Sequence, residues 1–174
     1  MHALPWRGRP LALQVPVVYG LELPTVTPLE SPGTSPRALV LEDPDASSAR
    51  FEATEIARTL RSAGWVVRGH QSTTSSVAGL LEQLGAVDHF HYAGHAGFGE
   101  DQHQSRWPPR PGGAVAEASF IPVSDGELAV QDVLMMRQAP RTAVLMGCNT
   151  GVQDERMAHG GFSLATGFVA AGSV

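Results

Sequence analysis

The chain has 174 residues, of which 43% are hydrophobic, and it carries a formal net charge of −5. This length and composition support one buried core and therefore predict a single domain. All twelve basic residues are scattered arginines, whereas nucleic-acid-binding proteins usually carry a basic stripe. The sequence has no lysine, and a Walker-type phosphate loop requires one. Composition thus argues against a nucleic-acid partner and against that mode of nucleotide binding.

The cysteine count and the hydropathy bear on the compartment. A single cysteine, Cys148, excludes an internal disulfide, so we expect a reducing cytoplasm. A short apolar run near the N-terminus is interrupted by Gln14 and Pro16 and lacks a small-residue cleavage site. No apolar stretch approaches the ~18 residues of a membrane span. We therefore predict a cytoplasmic protein without a membrane partner.

The predicted elements begin after a proline-rich N-terminal region, residues 1–36. Its first half, Pro10 to Leu23, has strand-like content that Pro16 restricts to an extended arm or edge strand, and Pro24 to Pro36 has the composition of a linker. Residues 37–174 form the predicted domain, in which short apolar runs alternate with amphipathic segments. The apolar runs predict four strands, at Arg37–Asp43, Trp65–Gly69, Val87–Gly94 and Arg141–Gly147.

Helices are predicted where apolar residues recur every three or four positions. The first helix follows Ser47 or Ser48 as its cap and stops at Gly64. The second lies within Thr73–Gly85, with Thr74 or Ser75 as its cap. Further along the chain, we predict a long functional or disordered loop, a short strand running into a helix, and a final helix, at Phe98–Val123, Glu127–Gln138 and Gly160–Gly172 respectively.

This alternation of strands and helices predicts the fold class. Crossover connections imply a mainly parallel central sheet with helices on both faces, which is a three-layer α/β/α sandwich. The sequence stops at Gly172-Ser173-Val174, where a further strand would begin, so we expect the sheet to be incomplete at the C-terminus. Chemistry in such sheets lies at the C-terminal ends of the strands.

Two of these strand ends carry residues suited to nucleophilic catalysis. His95 follows the third strand and Cys148 follows the fourth, and an imidazole can convert a thiol into a reactive thiolate. The cysteine lies 148 − 95 = 53 residues after the histidine, which is the order and approximate spacing of caspases. We predict a His95/Cys148 dyad, with the backbone amides of Ala96, Gly97 and Cys148 as candidate donors to an oxyanion.

Simpler interpretations of the same residues remain open. Cys148 would fit a buried structural thiol, and His95 would fit a capping or packing histidine. His89 and His91 share a face of the third strand and could form a zinc cluster with His95, as in a metal-dependent hydrolase. The glycines of GHAGFG do not have the dinucleotide-binding spacing, so no cofactor is predicted. Candidate residues of a substrate pocket are Asp125, Asn149 and Asp154, although acids in such positions are more often solvated loop residues.

Four segments together resemble the CHAT domain, a family of caspase-like cysteine peptidases that are usually bacterial and often fused to TPR repeats. They are HFHYAGHAGF, SDGELAVQDVL, VLMGCNTG and GGFSLATGFVAAG, which begin at residues 89, 124, 144 and 160. The resemblance covers roughly residues 37–174, the p20-like portion of the domain.

The resemblance implies a caspase-haemoglobinase fold and a catalytic dyad at His95 and Cys148. It also implies a specific protein substrate in a bacterial regulatory or defence pathway, and TPR or other sensor domains as partners. Ala96 occupies a position where the family usually has glycine. This departure favours the alternative function, a catalytically degenerate protein-interaction module.

Overall fold

The computed structural model describes residues 5–6, 9–10, 35–97, 119–147 and 163–173. Most of the predicted arm and linker, and most of the predicted long loop, lie outside these residues. The strands are β1 (Pro5–Trp6), β2 (Arg9–Pro10), β3 (Arg37–Glu42), β4 (Val66–Gln71), β5 (His89–Gly94), β6 (Phe120–Val123), β7 (Gly126–Ala129) and β8 (Thr142–Gly147). The α-helices are α1 (Ala49–Ser62), α2 (Val77–Leu84), α3 (Val130–Leu134) and α4 (Leu164–Ala170).

The central sheet has four parallel strands in the order β4-β3-β5-β8. Each corresponds to one of the four strands predicted from the apolar runs. β3 and β5 occupy the middle of this sheet, and their apolar side chains are buried on both faces, as expected for parallel strands covered by helices. The predicted α/β architecture with a mainly parallel sheet is therefore confirmed, and it is consistent with a caspase-like fold.

One face of the sheet supports the larger part of the core. Leu39, Leu41, Phe90 and Tyr92 project from β3 and β5 and are fully buried. They pack against residues of α2, the β6–β7 hairpin, α3 and α4, which include Leu80, Leu84, Ile121, Leu128, Val133, Leu164 and Phe168. This face is therefore covered by several short elements at once.

The other face is covered by α1. Ala53 and Ala57 are buried against Val40 of β3, with Ile56 and Leu60 partly buried beside them, so the predicted apolar face of this helix is confirmed.

α1 ends in a Schellman motif. The Gly64 amide donates to the carbonyl of Arg61 and the Trp65 amide donates to that of Leu60, both at 3.0 Å. Gly64 adopts a φ of 87°, a conformation that glycine tolerates, so its predicted role as the stop is confirmed.

Two predicted boundaries are wrong. The last residues of the predicted long loop form strand β6, which pairs with β7 across the two-residue turn Ser124–Asp125. α2 begins after Ser76, whose hydroxyl accepts from the Gly79 amide at 3.1 Å, and not after Thr74 or Ser75. The reason is that Ser72–Thr74 form a 3₁₀ turn and Ser75 donates its hydroxyl to the carbonyl of Gln71 at 2.9 Å.

Among the residues that the structure describes, no helix is both long and apolar enough to cross a membrane.

Candidate active site

The C-terminal ends of β5 and β8 lie side by side. The two strands pair in register from His89 and Thr142 to Gly94 and Gly147. His95 is the next residue after Gly94. Cys148 is the next residue after Gly147 and lies outside the described residues, as do Asn149 and Asp154. The sheet therefore aligns the two positions from which the chain continues into the predicted dyad.

The His95 side chain is exposed, whereas its backbone is held on both sides. Its amide donates to Oδ2 of Asp43 at 3.1 Å, and its carbonyl accepts a hydrogen bond from the hydroxyl of Tyr92. Asp43 directly follows β3, and Tyr92 belongs to β5. Both are buried, so the exposed imidazole of His95 extends from a backbone that two buried side chains hold in place.

The Asp43 carboxylate accepts a second hydrogen bond, from the amide of Asp45 to Oδ1 at 3.0 Å. Burial, and next the charge of Asp43, raise the pKa of the Tyr92 phenol well above its ordinary value. Tyr92 therefore remains protonated at neutral pH and can donate to the His95 carbonyl. Each oxygen of the buried carboxylate thus has a backbone donor, and the buried hydroxyl has an acceptor.

Gly94 allows these groups to approach. A Cβ atom at this position would lie 2.6 Å from the Tyr92 hydroxyl oxygen and would overlap Cβ of Asp43. Any residue other than glycine would therefore push Asp43 or Tyr92 away from the His95 backbone. The glycine before the histidine is thus explained by close packing beneath the turn.

The turn is also held at its far end. Gly97 and Phe120 exchange two backbone hydrogen bonds, of 3.1 Å from the Gly97 amide and 3.0 Å to its carbonyl. The Gly97 amide, expected as a donor to an oxyanion, is thus already bound to the carbonyl of Phe120. Ala96, between the two anchored residues, is buried, and no described residue accepts a hydrogen bond from its amide.

Asp125, a candidate pocket residue, has a structural contact instead. It lies in the turn between β6 and β7, and its Oδ1 accepts from the amide of Val77, the first residue of α2, at 2.8 Å. Ser124 in the same turn donates its amide and its hydroxyl to the carbonyl of Ser75, at 2.9 and 2.8 Å. The acid therefore accepts from one of the amides that a helix N-terminus leaves unpaired.

His89 and His91 share the face of β5 that packs against α1, as the alternation of a strand predicts. Each has its own protein partner: Nδ1 of His89 lies 2.7 Å from the Thr142 hydroxyl, and Nε2 of His91 lies 2.8 Å from Oε1 of Glu52. Within the described ranges, no three histidine, cysteine or acidic side chains are grouped as metal ligands would be.

The sequence points to His95 but not to the two residues that hold its backbone, Asp43 and Tyr92. A signal for Asp43 was present, since it is an acid directly after a central parallel strand, where chemistry is expected. Tyr92 gave no such signal because an aromatic residue within an apolar strand predicts core packing.

Comparison with known proteins gives one match. The family model of the CHAT domain matches residues 1–174, the whole chain. No curated protein and no solved structure shows significant similarity to it. The match agrees with the parallel sheet and with the resemblance carried by the sequence motifs. The chain therefore belongs to the CHAT domain family, whose fold is that of the caspase-like cysteine peptidases.

Proposed function

We propose that this protein is a cysteine endopeptidase in which His95 is the base and Cys148 the nucleophile. The observation that carries the proposal is the register pair Gly94–Gly147, because His95 and Cys148 each follow one member of it. Consecutive Cα atoms are about 3.8 Å apart and neighbouring strands about 4.8 Å apart. The chain that leaves Gly147 thus starts within a few ångströms of the chain that leads into His95.

The reaction requires a proton to move from the thiol to His95 and then from His95 to the leaving amine of the substrate. The imidazole takes the Sγ proton, and the thiolate attacks the carbonyl carbon of a peptide bond. The carbon–nitrogen bond then breaks, and the imidazolium gives its proton to the leaving amine. Water, deprotonated by His95, hydrolyses the thioester and regenerates the thiol. The exposure of His95 supports this role, since a substrate can reach its imidazole.

The oxyanion formed in this attack needs backbone donors. The amides of Ala96 and Cys148 are the proposed donors, because the amide of Gly97 is bound to Phe120. The substrate is a specific protein in a bacterial regulatory or defence pathway. We further propose TPR or other sensor domains as partners, since such repeats often accompany this family.

A second candidate function is a catalytically degenerate interaction module. It is supported by the engagement of the Gly97 amide and by Ala96, which replaces the glycine usual in the family. In such a module, the exposed His95 would have no thiolate to stabilise. Reactivity of the cysteine therefore separates the two functions.

The first test is alkylation of Cys148 by iodoacetamide, measured by mass spectrometry from pH 5 to 9. Because the chain has one cysteine, the label reports a single position. We expect the wild-type thiol to react at least ~10-fold faster at pH 7 than the His95→Ala variant, because a nearby imidazolium lowers the pKa of a thiol. The matched control is His70→Ala, on the edge strand β4, which should react within about twofold of wild type.

Equal alkylation rates for wild type and His95→Ala would contradict the dyad and favour the interaction module. A positive result leads to the second test, cleavage of the protein substrate. There, Cys148→Ala should abolish cleavage, and unchanged cleavage would overturn the assignment of the nucleophile.

A further inference from the structure

Beside His95, a buried acid and a buried hydroxyl contact its backbone and not its imidazole. Oδ2 of Asp43 accepts from the His95 amide at 3.1 Å, and the Tyr92 hydroxyl donates to the His95 carbonyl. The two bonds hold successive peptide groups, one on each side of the His95 Cα. They therefore restrain the φ and ψ angles from which the imidazole is directed.

We infer that Asp43 and Tyr92 are positioning residues for His95, which fix its backbone so that the imidazole is aimed before a substrate binds. The inference rests on the proposed function, since it concerns the base of the same dyad. Asp43 and Tyr92 do not themselves touch reacting atoms. Their effect on the reaction passes entirely through the geometry of His95.

Three features separate this arrangement from ordinary loop packing. Asp43 is 4% exposed, and a buried carboxylate is costly unless its oxygens are well satisfied. Asp43 is itself fixed, because its amide donates to the carbonyl of Ala93 at 2.9 Å and continues the pairing of β3 with β5. Tyr92 is fully buried in the main core, so the hydroxyl that contacts His95 stands on a rigid ring.

The packing of Gly94 adds a fourth feature. A Cβ atom at this position would overlap Cβ of Asp43 and lie 2.6 Å from the Tyr92 hydroxyl. Acid, hydroxyl and glycine thus depend on one another. With Gly97 bound to Phe120, the turn from His95 to Gly97 is fixed at both ends. A catalytic base held in this way loses little conformational freedom on reaching the reactive geometry.

The test compares Tyr92→Phe with Ser173→Ala. The first removes only the hydroxyl and keeps the buried ring. The control removes another buried hydroxyl that donates to a backbone carbonyl, that of Pro140 outside the turn. Two quantities are measured: hydrogen exchange of the His95 amide, and the pH profile of Cys148 alkylation by iodoacetamide. Thermal unfolding of each variant is recorded in parallel.

We expect Tyr92→Phe to speed exchange of the His95 amide at least ~5-fold and to slow alkylation at pH 7 at least ~5-fold. The alkylation profile should move toward that of an unassisted thiol. Ser173→Ala should leave both quantities within about twofold of wild type. If the Tyr92 hydroxyl only stabilises the fold, Tyr92→Phe should lower the unfolding temperature, as Ser173→Ala does, and leave the pH profile of Cys148 alkylation unchanged.

Asp43→Asn provides a second variant should Tyr92→Phe fail to fold. The amides of Asp45 and His95 contact different oxygens of Asp43, so the NH₂ group of the asparagine would face one of these donors and that hydrogen bond would be lost. Its alkylation rate should fall between those of wild type and His95→Ala.

The outcomes distinguish the inference from the function on which it rests. If wild type and His95→Ala alkylate alike, the dyad is wrong and the positioning role falls with it. If the dyad holds but Tyr92→Phe and Asp43→Asn keep the wild-type thiol profile, positioning alone is overturned. Slower alkylation in Ser173→Ala, equal to that in Tyr92→Phe, would also overturn it.

Discussion

The two faces of the central sheet are built from different kinds of residue. On the face toward α2, α3 and α4, large side chains such as Phe90 and Tyr92 fill the space between sheet and helices. On the face toward α1, Ala53 and Ala57 let the helix lie close to Val40. The face toward α2, α3 and α4, here called the thick face, is therefore stabilised mainly by buried apolar area. The face toward α1, here called the thin face, is stabilised mainly by close approach and a few polar contacts.

Two titratable side chains of the thin face, His89 and His91, belong to β5, the same central strand that contributes Phe90 and Tyr92 to the core. His91 is 4% exposed and is bound to Glu52, while His89 contacts the Thr142 hydroxyl and lies edge-on to Trp65. The two faces of β5 therefore have different roles. Residues of one parity secure the fold, and those of the other connect α1 and β8 to the sheet.

Removal of an aromatic ring from the thick face should have the largest effect. Phe90 is fully buried and packs against Phe168, with ring centroids 5.6 Å apart. We expect Phe90→Ala to cost ~3–5 kcal/mol of unfolding free energy, since it removes a large buried group and leaves a cavity. Val40→Ala on the thin face should cost only about 2 kcal/mol, because it removes two methyl groups. Urea unfolding measures both, and equal costs would contradict the contrast between the faces.

A second, smaller effect is expected at the contact between Glu52 and His91. Glu52→Ala leaves Nε2 of a buried imidazole without its partner, which should cost ~1–3 kcal/mol. Glu52→Gln keeps an acceptor or donor for the ring and should cost less.

The matched control for Glu52 lies one turn along α1. Glu55 pairs with Arg58 at 2.6 Å, but both side chains are exposed. Glu55→Ala should therefore leave the thermal midpoint unchanged within error. Equal destabilisation by Glu52→Ala and Glu55→Ala would show that the buried contact adds nothing to the docking of α1.

The central sheet could be predicted from sequence because its signals are local. β3 and β5 are apolar runs ended by turn residues, and α1 shows both its spacing and its terminal glycine. β7 matches the predicted short strand, but its partner β6 was missed because Pro122 within a strand suppresses the pattern. The start of α2 was misplaced because five consecutive hydroxyl-bearing residues, Ser72–Ser76, compete for the cap, and only tertiary contacts decide among them.

The site was predicted in part for a similar reason. His95 follows a strand end that is visible in the sequence. Its contact with Asp43 joins residues 52 positions apart and depends on the register of β3 against β5. The engagement of Gly97 by Phe120 depends on a hairpin that the sequence did not reveal. Pairing between distant segments is not encoded in local periodicity, so these contacts required the structure.

The smallest expected effect concerns His89 and its dependence on pH. Burial, and next the neighbouring His91, lower the pKa of His89 below its ordinary value of about 6.5. Below pH 6.5, the unfolded chain therefore binds more protons at this position than the folded chain. The free energy of unfolding should fall as pH drops through this range. His89→Gln should reduce that slope, whereas Ser173→Ala, which removes no titrating group, should destabilise equally at pH 7.5 and 5.5. Unfolding curves at both pH values measure this dependence of stability on pH. An unchanged dependence in His89→Gln would show that groups other than His89 cause it.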